Sequence, residues 1–330
     1  MGDAPPCLVT GATGFIGAAL VRRLVASGIP VRALARSRAN TAAGTAALVD
    51  LAAGTIPAGV LDGIQTVYHL AARTHDLFAT EASDAEYWRV NVEGTQRLLD
   101  SIPRRTIRRV IFVSSVKAIA EEAPRAVDET HPPEPTTAYG RSKLAAERLV
   151  LSEAARRGFE GVCLRFPLVY GPGHRGNLPR MIAAIDRGRF PPVPPGNRRS
   201  MLHVENAVDA LILAERHPAA PGQTYIVTDA TPYSTRELYD WIRETLRKPQ
   251  VKWAVPPWAL QGLASTGDLA RALLGRRIGF DTEALGKLLG SAWFSSDKIA
   301  RELGYRPIRS LRDALPELVA EYRAGKGTPA

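Results

Sequence analysis

Eight residues near the amino terminus, TGATGFIG (Thr10 to Gly17), constrain the fold more than any other stretch of the chain. Three glycines fall three apart, directly after Cys7-Leu8-Val9, a short run that is wholly apolar, like a strand buried on both faces. Beyond them, Ile16, Leu20, Val21, Leu24 and Val25 share one helical face, and Gly28 followed by Pro30 ends that helix. Strand, glycine turn and helix in this order leave unpaired N–H groups at a helix start, where the helix dipole favours a phosphate. Gly11 then permits the tight turn, Gly14 the close approach of a pyrophosphate, and Gly17 the close packing of helix on strand. The simpler alternative is a plain strand-to-helix turn. With both flanks in place, the nucleotide reading is the stronger one.

Strand and helix patterns alternate behind this unit. Val31 to Ala35, Ala46 to Val49, Thr66 to Leu70, Val110 to Val113 and Val162 to Leu164 read as strands. Helical patterns run from about Ala82 to Leu99 and from about Thr137 to Ala155. This alternation predicts an α/β fold with a Rossmann-type, doubly wound parallel sheet, whose ligand lies at the carboxyl ends of the strands. After Val169-Tyr170-Gly171-Pro172-Gly173 the texture changes to proline-rich loop and mostly helical segments. The expected division is a dinucleotide-binding domain over 1–172 and a smaller, mostly helical substrate domain over 173–330, with the chain crossing between them more than once. The apolar stretch from Trp253 to Gly290 reads as core or interdomain packing rather than a membrane-surface segment.

The chain has 330 residues, 45% of them hydrophobic, and a formal charge of +10. That charge raises nucleic acid as a partner, but the arginines are scattered and no aromatic-flanked basic stripe exists, so a small anionic ligand is the better reading. No run of eighteen apolar residues is present to span a membrane. The start, MGDAPP, has neither a basic nor an apolar leader segment, which points to the cytoplasm. Cys7 and Cys163, the only cysteines, lie in apolar runs and read as buried thiols in a reducing compartment. No Cys/His spacing suggests a metal.

The most specific chemical signal is Tyr139-Gly140-Arg141-Ser142-Lys143 at a helix start. Residues four apart share a helical face, so the phenol and the ammonium point into one space. A free tyrosine ionises at about pH 10, and a nearby ammonium is expected to lower that value. Such a pair suits proton transfer at an alcohol or sugar oxygen while hydride moves at its carbon. Ser114 and Ser115, ending the strand Val110 to Val113, can hold the same oxygen. Each residue alone has an ordinary explanation in packing or capping; the set is much harder to dismiss.

TGATGFIG, HLAA (His69 to Ala72), NVEGT (Asn91 to Thr95), FVSS (Phe112 to Ser115), YGRSK and LVYGPG (Leu168 to Gly173) together resemble the extended short-chain dehydrogenase/reductases, above all the nucleotide-sugar epimerases and reductases. SSVK, HRGNLPR and NRRSMLHVENAVDA are similar to a branch of UDP-hexose 4-epimerase-like proteins and 4-reductases of UDP-N-acetylquinovosamine type. The resemblance implies Ser115, Tyr139 and Lys143 as catalytic residues, Lys143 also anchoring the ribose. It implies Gly11, Gly14, Phe15, Ile16 and Gly17 at the pyrophosphate, Asp50 and Leu51 at the adenine, and Leu70, Ala71, Ala72 and Phe166 along the nicotinamide side. Asn177 and Arg199 match positions on the substrate diphosphate. Lys117 stands where many relatives have a small or neutral residue and is read as a contact to the sugar or its phosphates, or else as a solvated loop lysine; Lys287, the charged residue of Leu285 to Leu289, is read as a further substrate contact. Leu168 departs from the pattern where relatives often carry Asn, and the usual Arg and Asp pair for the nucleoside ribose is absent.

Dehydration of the sugar needs a carboxylate pair directly after the catalytic serine, and Val116-Lys117-Ala118 stands there instead. Hydride transfer at one carbon remains, either one way, as in a 4-keto/4-hydroxy reductase, or out and back, as in a 4-epimerase. The second strand ends in Arg36-Ser37-Arg38 with no acid for a ribose diol. That favours NADP(H) over NAD and, with it, the reductase. A reductase of an uncharged, steroid-like alcohol and a non-catalytic dinucleotide sensor are the other readings. The expected assembly is a homodimer.

Overall fold

The computed structural model describes residues 5–36, 40–57, 59–74, 81–103, 106–174, 176–274 and 281–326. Its centre is a seven-stranded sheet, parallel throughout, made of β1 (Cys7–Thr10), β2 (Val31–Ala35), β3 (Ala47–Leu48), β4 (Thr66–His69), β5 (Arg109–Ser115), β7 (Glu160–Phe166) and β10 (Thr224–Ile226); β6 (Ala123–Val127), β8 (Leu168–Tyr170) and β9 (Met201–His203) lie outside it. The order across the sheet is β10-β7-β5-β4-β1-β2-β3. Direction of travel reverses between β1 and β4, so a crevice opens there at the carboxyl ends of the strands.

Helices cover both faces because alternate strand residues point opposite ways. Val9, Ile111, Val162 and Leu164 bury one face with α1 (Phe15–Ala26) and α6 (Val204–Arg216). Leu8, Val67, Val110 and Phe112 bury the other with α3 (Gly94–Ser101) and α4 (Ala138–Arg157). Residues 204–226, beyond the expected boundary at 172, thus supply a covering helix and an edge strand to the sheet. The remaining helices pack beside the crevice. There α5 (Asn177–Asp186), α7 (Thr235–Thr245) and α11 (Leu311–Lys326) share a core with Tyr170 and Met201. A short strand, β11 (Ala292–Phe294), runs parallel to β6.

The expected single helix from Ala82 to Leu99 is interrupted. It forms α2 (Glu81–Trp88), a π turn over Arg89–Glu93, and α3. The π turn contains Asn91, whose amide oxygen accepts from Arg73 N–H at 2.8 Å and whose amide nitrogen donates to Ser142 Oγ at 2.9 Å. These two bonds, both non-local, hold the extra residue in the turn.

Candidate active site

One continuous cleft of about 1890 Å³ runs along the carboxyl ends of the strands and under the helical layer. It is built in three parts.

The first part is the glycine turn. Gly11 adopts φ +67°, and a Cβ there would lie 2.8 Å from the Ala71 nitrogen. A Cβ on Gly17 would lie 2.1 Å from the Gly11 carbonyl oxygen, so α1 presses on the turn itself rather than on the strand alone. Gly14 caps α1 without any side-chain hydrogen bond, leaving its first-turn N–H groups to the cleft. Phe15, Ile16, Arg36, Asp50, Leu51, Leu70, Ala71 and Ala72 line the same end. Arg36 is exposed at the end of β2, and Asp50 Oδ1 is fixed by the Ala52 N–H at 2.9 Å. A bare helix start over a turn that admits no Cβ, continued by an extended trough, fits a dinucleotide. Arg38 lies outside the described residues.

Beneath this end runs a buried polar chain. Thr10 Oγ1 accepts from the Ala71 N–H at 3.0 Å and meets His69 Nδ1 at 2.7 Å; His69 Nε2 meets Thr95 Oγ1 at 2.9 Å. Thr95 donates to the Asn91 carbonyl at 2.7 Å, and Ser142 donates to the Tyr139 carbonyl at 2.8 Å. The glycine strand, the Leu70–Ala72 segment and the tyrosine helix are therefore tied through Asn91. Burial pushes the His69 imidazole down to about 3, so the chain carries no charge at neutral pH.

The second part is the reacting centre. Thr137 caps α4 by accepting from the Gly140 N–H at 3.1 Å, which sets Tyr139 on the first turn. The Tyr139 and Ser115 side chains are hydrogen-bonded, and the buried Tyr87 ring meets the Tyr139 ring edge-on at 5.8 Å. Lys143 is 2% exposed, donates to the Val113 carbonyl at 2.6 Å and lies 4.1 Å from the centroid of the Phe112 ring. Phe166 closes this region. Ser114 also faces the cleft, its buried hydroxyl without a hydrogen-bond partner among the described residues.

Burial, rather than Lys143, is the largest influence on the phenol. Burial pushes Tyr139 up to about 12, offset in part by the Ser115 hydrogen bond, with Tyr87 and Glu121 adding to the rise. Burial brings Lys143 down to about 7, against the pull of Glu147. For both groups desolvation is the largest influence. The tyrosine holds its proton at neutral pH.

The third part is assembled from distant segments. Lys117 pairs with Glu121 at 2.8 Å, and Glu121 also accepts a short hydrogen bond from Thr137. Glu122 lies beside them in the cleft. Arg199 is held between Tyr233 and Ala292 by backbone bridges, and its guanidinium donates to the Gly290 carbonyl at 3.0 Å. Burial lowers its pKa while Glu122 opposes the fall. Glu205, the surface acid that could have claimed Arg199, pairs with Arg309 at 3.1 Å. Asn177 is the first residue of α5 and lines the cleft; the capping position belongs to Gly176, which makes no side-chain bond. The His174 ring lies tilted against Phe15, ring centroids 5.0 Å apart. Lys287 lies in α9 (Thr282–Leu289), but its side chain falls outside the described residues.

Ser115, Tyr139, Lys143, Lys117, Asn177 and Arg199 thus share one cleft with the glycine turn. Glu121, Glu122, Tyr87 and Asn91 were not singled out as site residues by the sequence. Asn91 stood within NVEGT and had a signal; the two glutamates had none beyond following a strand end. Among the described residues no group of three or more His, Cys, Asp or Glu could hold a metal ion, and no helix is long and apolar enough to cross a membrane.

Comparison with known proteins accords with this geometry. The model of the NAD dependent epimerase/dehydratase family matches residues 7–228. UDP-glucose 4-epimerase of Vibrio cholerae is 30% identical over 326 residues, covering 96% of this chain and 94% of that protein. A 4-hydroxy-2-methyl-3-oxo-4-farnesyl-3,4-dihydroquinoline-1-oxide ketoreductase of Stigmatella aurantiaca is 34% identical, covering 97% of each. The solved structure of MoeE5 in complex with UDP-glucuronic acid and NAD superimposes with TM-score 0.74 at 28% identity, covering 97% of this chain and 99% of that one. The chain belongs to the NAD-dependent epimerase/dehydratase family and is an NAD(P)-dependent enzyme of the extended short-chain dehydrogenase/reductase type.

Proposed function

We propose that this enzyme reduces the 4-keto group of a UDP-linked hexose to the 4-hydroxy sugar. The observation that carries this reading is Tyr139, desolvated by burial and hydrogen-bonded to Ser115, in the same cleft as the semi-buried Arg199. A phenol that keeps its proton suits delivery of that proton to a carbonyl oxygen as the carbon is reduced. Ser115 donates a hydrogen bond to the same oxygen and fixes its distance from the phenol. Lys143 holds the ribose of the coenzyme and shapes the field at Tyr139. Gly11, Gly14, Phe15, Ile16 and Gly17 hold the pyrophosphate, Asp50 and Leu51 the adenosine, and Leu70 to Ala72 with Phe166 the nicotinamide. The nicotinamide coenzyme, when bound, supplies the hydride. Arg199 and Asn177, with Lys287, meet the substrate diphosphate, the guanidinium as a fork and the α5 start through its N–H groups. Lys117 contacts the sugar. Arg36 at the adenosine end supports NADPH as the reductant. Buried free thiols at Cys7 and Cys163 accord with a reducing, cytoplasmic setting, and a homodimer completes the proposal.

A second reading has its own support. Leu168, Met181, Phe190, Leu238 and Phe294 give the substrate end much apolar surface, which suits an uncharged ketone such as the Stigmatella relative's. Reduced coenzyme, followed by its near-ultraviolet absorbance, separates the possibilities. Stoichiometric oxidation on adding a UDP-4-keto-6-deoxyhexose is expected. Interconversion of UDP-glucose and UDP-galactose without net oxidation would make the enzyme an epimerase instead. Oxidation only with an uncharged ketone would remove the nucleotide sugar.

A further inference from the structure

The two hydroxyls of the reacting centre come from separate segments, and one carboxylate, that of Glu121, is bonded to both segments. After Ser115 the chain makes a single 3-10 turn over Val116–Ala118, capped by Ser115, whose Oγ accepts from the Lys117 N–H at 3.3 Å. Val116 and Ile119 are buried, and the Ile119 carbonyl accepts from the Glu134 N–H at 2.7 Å. The backbone here is therefore held in place, and it presents Lys117 and Glu121 as an ion pair, Nζ to Oε2, at 2.8 Å.

The other carboxylate oxygen, Oε1, accepts the short hydrogen bond from the Thr137 hydroxyl. A hydroxyl has one proton to give and lone pairs with which to receive. With its proton committed to Glu121, Thr137 keeps a lone pair for the Gly140 N–H, the bond that caps α4 just ahead of Tyr139. The junction is close-packed as well as polar. A Cβ on Gly140 would strike the Lys117 carbonyl oxygen and lie 3.2 Å from Glu121 Oε1, so the glycine after Tyr139 lets the helix seat on the serine turn. A partly exposed Lys–Glu pair adds little stability of its own, and these side chains are 30% and 18% exposed. What sets this pair apart is that it joins the serine turn to the tyrosine helix.

We propose that Glu121 is a positioning residue for the Ser115–Tyr139 pair: its carboxylate clamps the serine turn to the start of the tyrosine helix and so sets the reach between the two hydroxyls. The proposal rests on Tyr139 as the proton donor and not on which ketone is reduced. Lys117, held by one N–H, keeps its other N–H groups for the sugar.

The clamp is tested first without substrate, by hydrogen exchange read by mass spectrometry over the first turn of α4. Glu121→Ala should speed exchange there by about tenfold, and Glu121→Gln, which keeps an acceptor for Thr137, by less. Turnover is then measured beside Tyr139→Phe, as coenzyme oxidation by a UDP-4-keto-6-deoxyhexose well below the melting temperature. Glu121→Ala should lower kcat by about tenfold or more while leaving KM for ketone and coenzyme nearly unchanged, because misplaced groups cost rate rather than binding. Glu121→Gln should recover most of that loss. Unchanged exchange at the α4 start in Glu121→Ala overturns the clamp, whether or not that ketone is turned over. A raised KM with unchanged kcat also overturns it, since Glu121 would then be a substrate contact. An unchanged kcat beside an inactive Tyr139→Phe removes the positioning role alone, whereas an active Tyr139→Phe removes the proton donor on which it rests.

Discussion

The two ends of the cleft are built on different principles. At the coenzyme end, eight consecutive residues create the turn, the helix start and the packing that holds them, and contacts are backbone against backbone. At the substrate end, residues from 117–122, 168–184, 199–201, 233–238 and 282–294 meet in space, and side chains make the surface. The first arrangement tolerates almost no change in shape and little choice of ligand. The second can be re-cut residue by residue without disturbing the sheet, which is how one fold serves ketones of very different polarity. Tyr139 stands between them, joined to the coenzyme side through Asn91 and Ser142 and to the substrate side through the Glu121–Thr137 contact.

The largest effect is expected at that junction. Tyr139→Phe keeps the ring and its contact with Tyr87 and removes only the transferable proton. Turnover should fall by about a hundred- to ten-thousandfold, with coenzyme affinity nearly unchanged. Turnover within tenfold of the parent enzyme, measured at saturating coenzyme, would break the link between the two ends and discard the proton-donor role.

Gly17→Ala tests the rigidity of the coenzyme end. The new methyl would meet the Gly11 carbonyl at 2.1 Å, against backbone that cannot rotate away. Overpacking of this kind costs about 1–3 kcal/mol, expected here as a lower melting temperature together with weaker coenzyme binding. A variant with unchanged affinity for the coenzyme would show that the turn is more pliant than its contacts imply.

The contrast between the two ends also explains what could be read from the sequence. A strand, a glycine turn and a helix are local, so the parallel sheet and its crevice followed from Cys7 to Gly28. Tyr139 and Lys143 were legible for the same reason, because helical spacing alone puts them on one face. Asn91's π turn was not, because the partners that hold it, Arg73 and Ser142, are remote in sequence. Glu121 and Glu122 were missed likewise: nothing in a loop sequence says that Glu121 folds back beside the cap of a helix 16 residues further on. The protonation of Tyr139 depends first on burial, a property of the assembled cleft that helical spacing with Lys143 cannot report. Trp253 and Trp258 were assigned to packing by composition but are exposed, and only the positions of Leu260 and Ala264 reveal which face of α8 (Pro257–Leu274) is spent.

The substrate end is probed by Arg199→Ala. Loss of one charged fork should weaken UDP or UDP-sugar binding by about 2 kcal/mol, roughly thirtyfold. Coenzyme affinity and melting temperature should move little, since the Tyr233 and Ala292 bridges to residue 199 are made by the backbone. If calorimetry finds UDP bound equally by both proteins, or by neither, the diphosphate contact is absent and an uncharged ketone becomes the better substrate.

Lys143 adds a pH signature. Its pKa in the folded state, about 7, lies below the ordinary lysine value of 10.5, so the unfolded chain binds the extra proton across that window. Stability from this group is therefore lowest below about pH 7 and rises as pH increases toward the unfolded value. Between about pH 7 and 9, before the buried Cys7 thiol reaches its ordinary value of 9.0, denaturation midpoints should climb in the parent protein and stay flatter in Lys143→Met. Parallel slopes in the two proteins would show that Lys143 is solvated enough to keep its charge at no cost.

The smallest effect is expected at Arg36, and it sharpens the comparison because it asks whether the rigid end carries any choice at all. Among the described residues at that end, Arg36 and Asp50 carry the charged side chains that could tell a ribose hydroxyl from a ribose phosphate. Arg36 follows Ala35, the last residue of β2, is exposed, and lines the cleft, as does Asp50. A guanidinium so placed can fork onto a 2′-phosphate, or it can lie flat on the adenine of either coenzyme. In the first case Arg36→Ala removes a charge-assisted contact that only NADPH makes. Its affinity should fall by about tenfold, near 1.4 kcal/mol, while that for NADH holds steady. Exposure and salt screening keep the effect modest, and raising the ionic strength should shrink it further. In the second case both coenzymes weaken together and salt makes little difference. Fluorescence titration of the two reduced coenzymes at low and high salt distinguishes the outcomes, and equal losses would return the enzyme to NAD, the coenzyme bound in the MoeE5 structure.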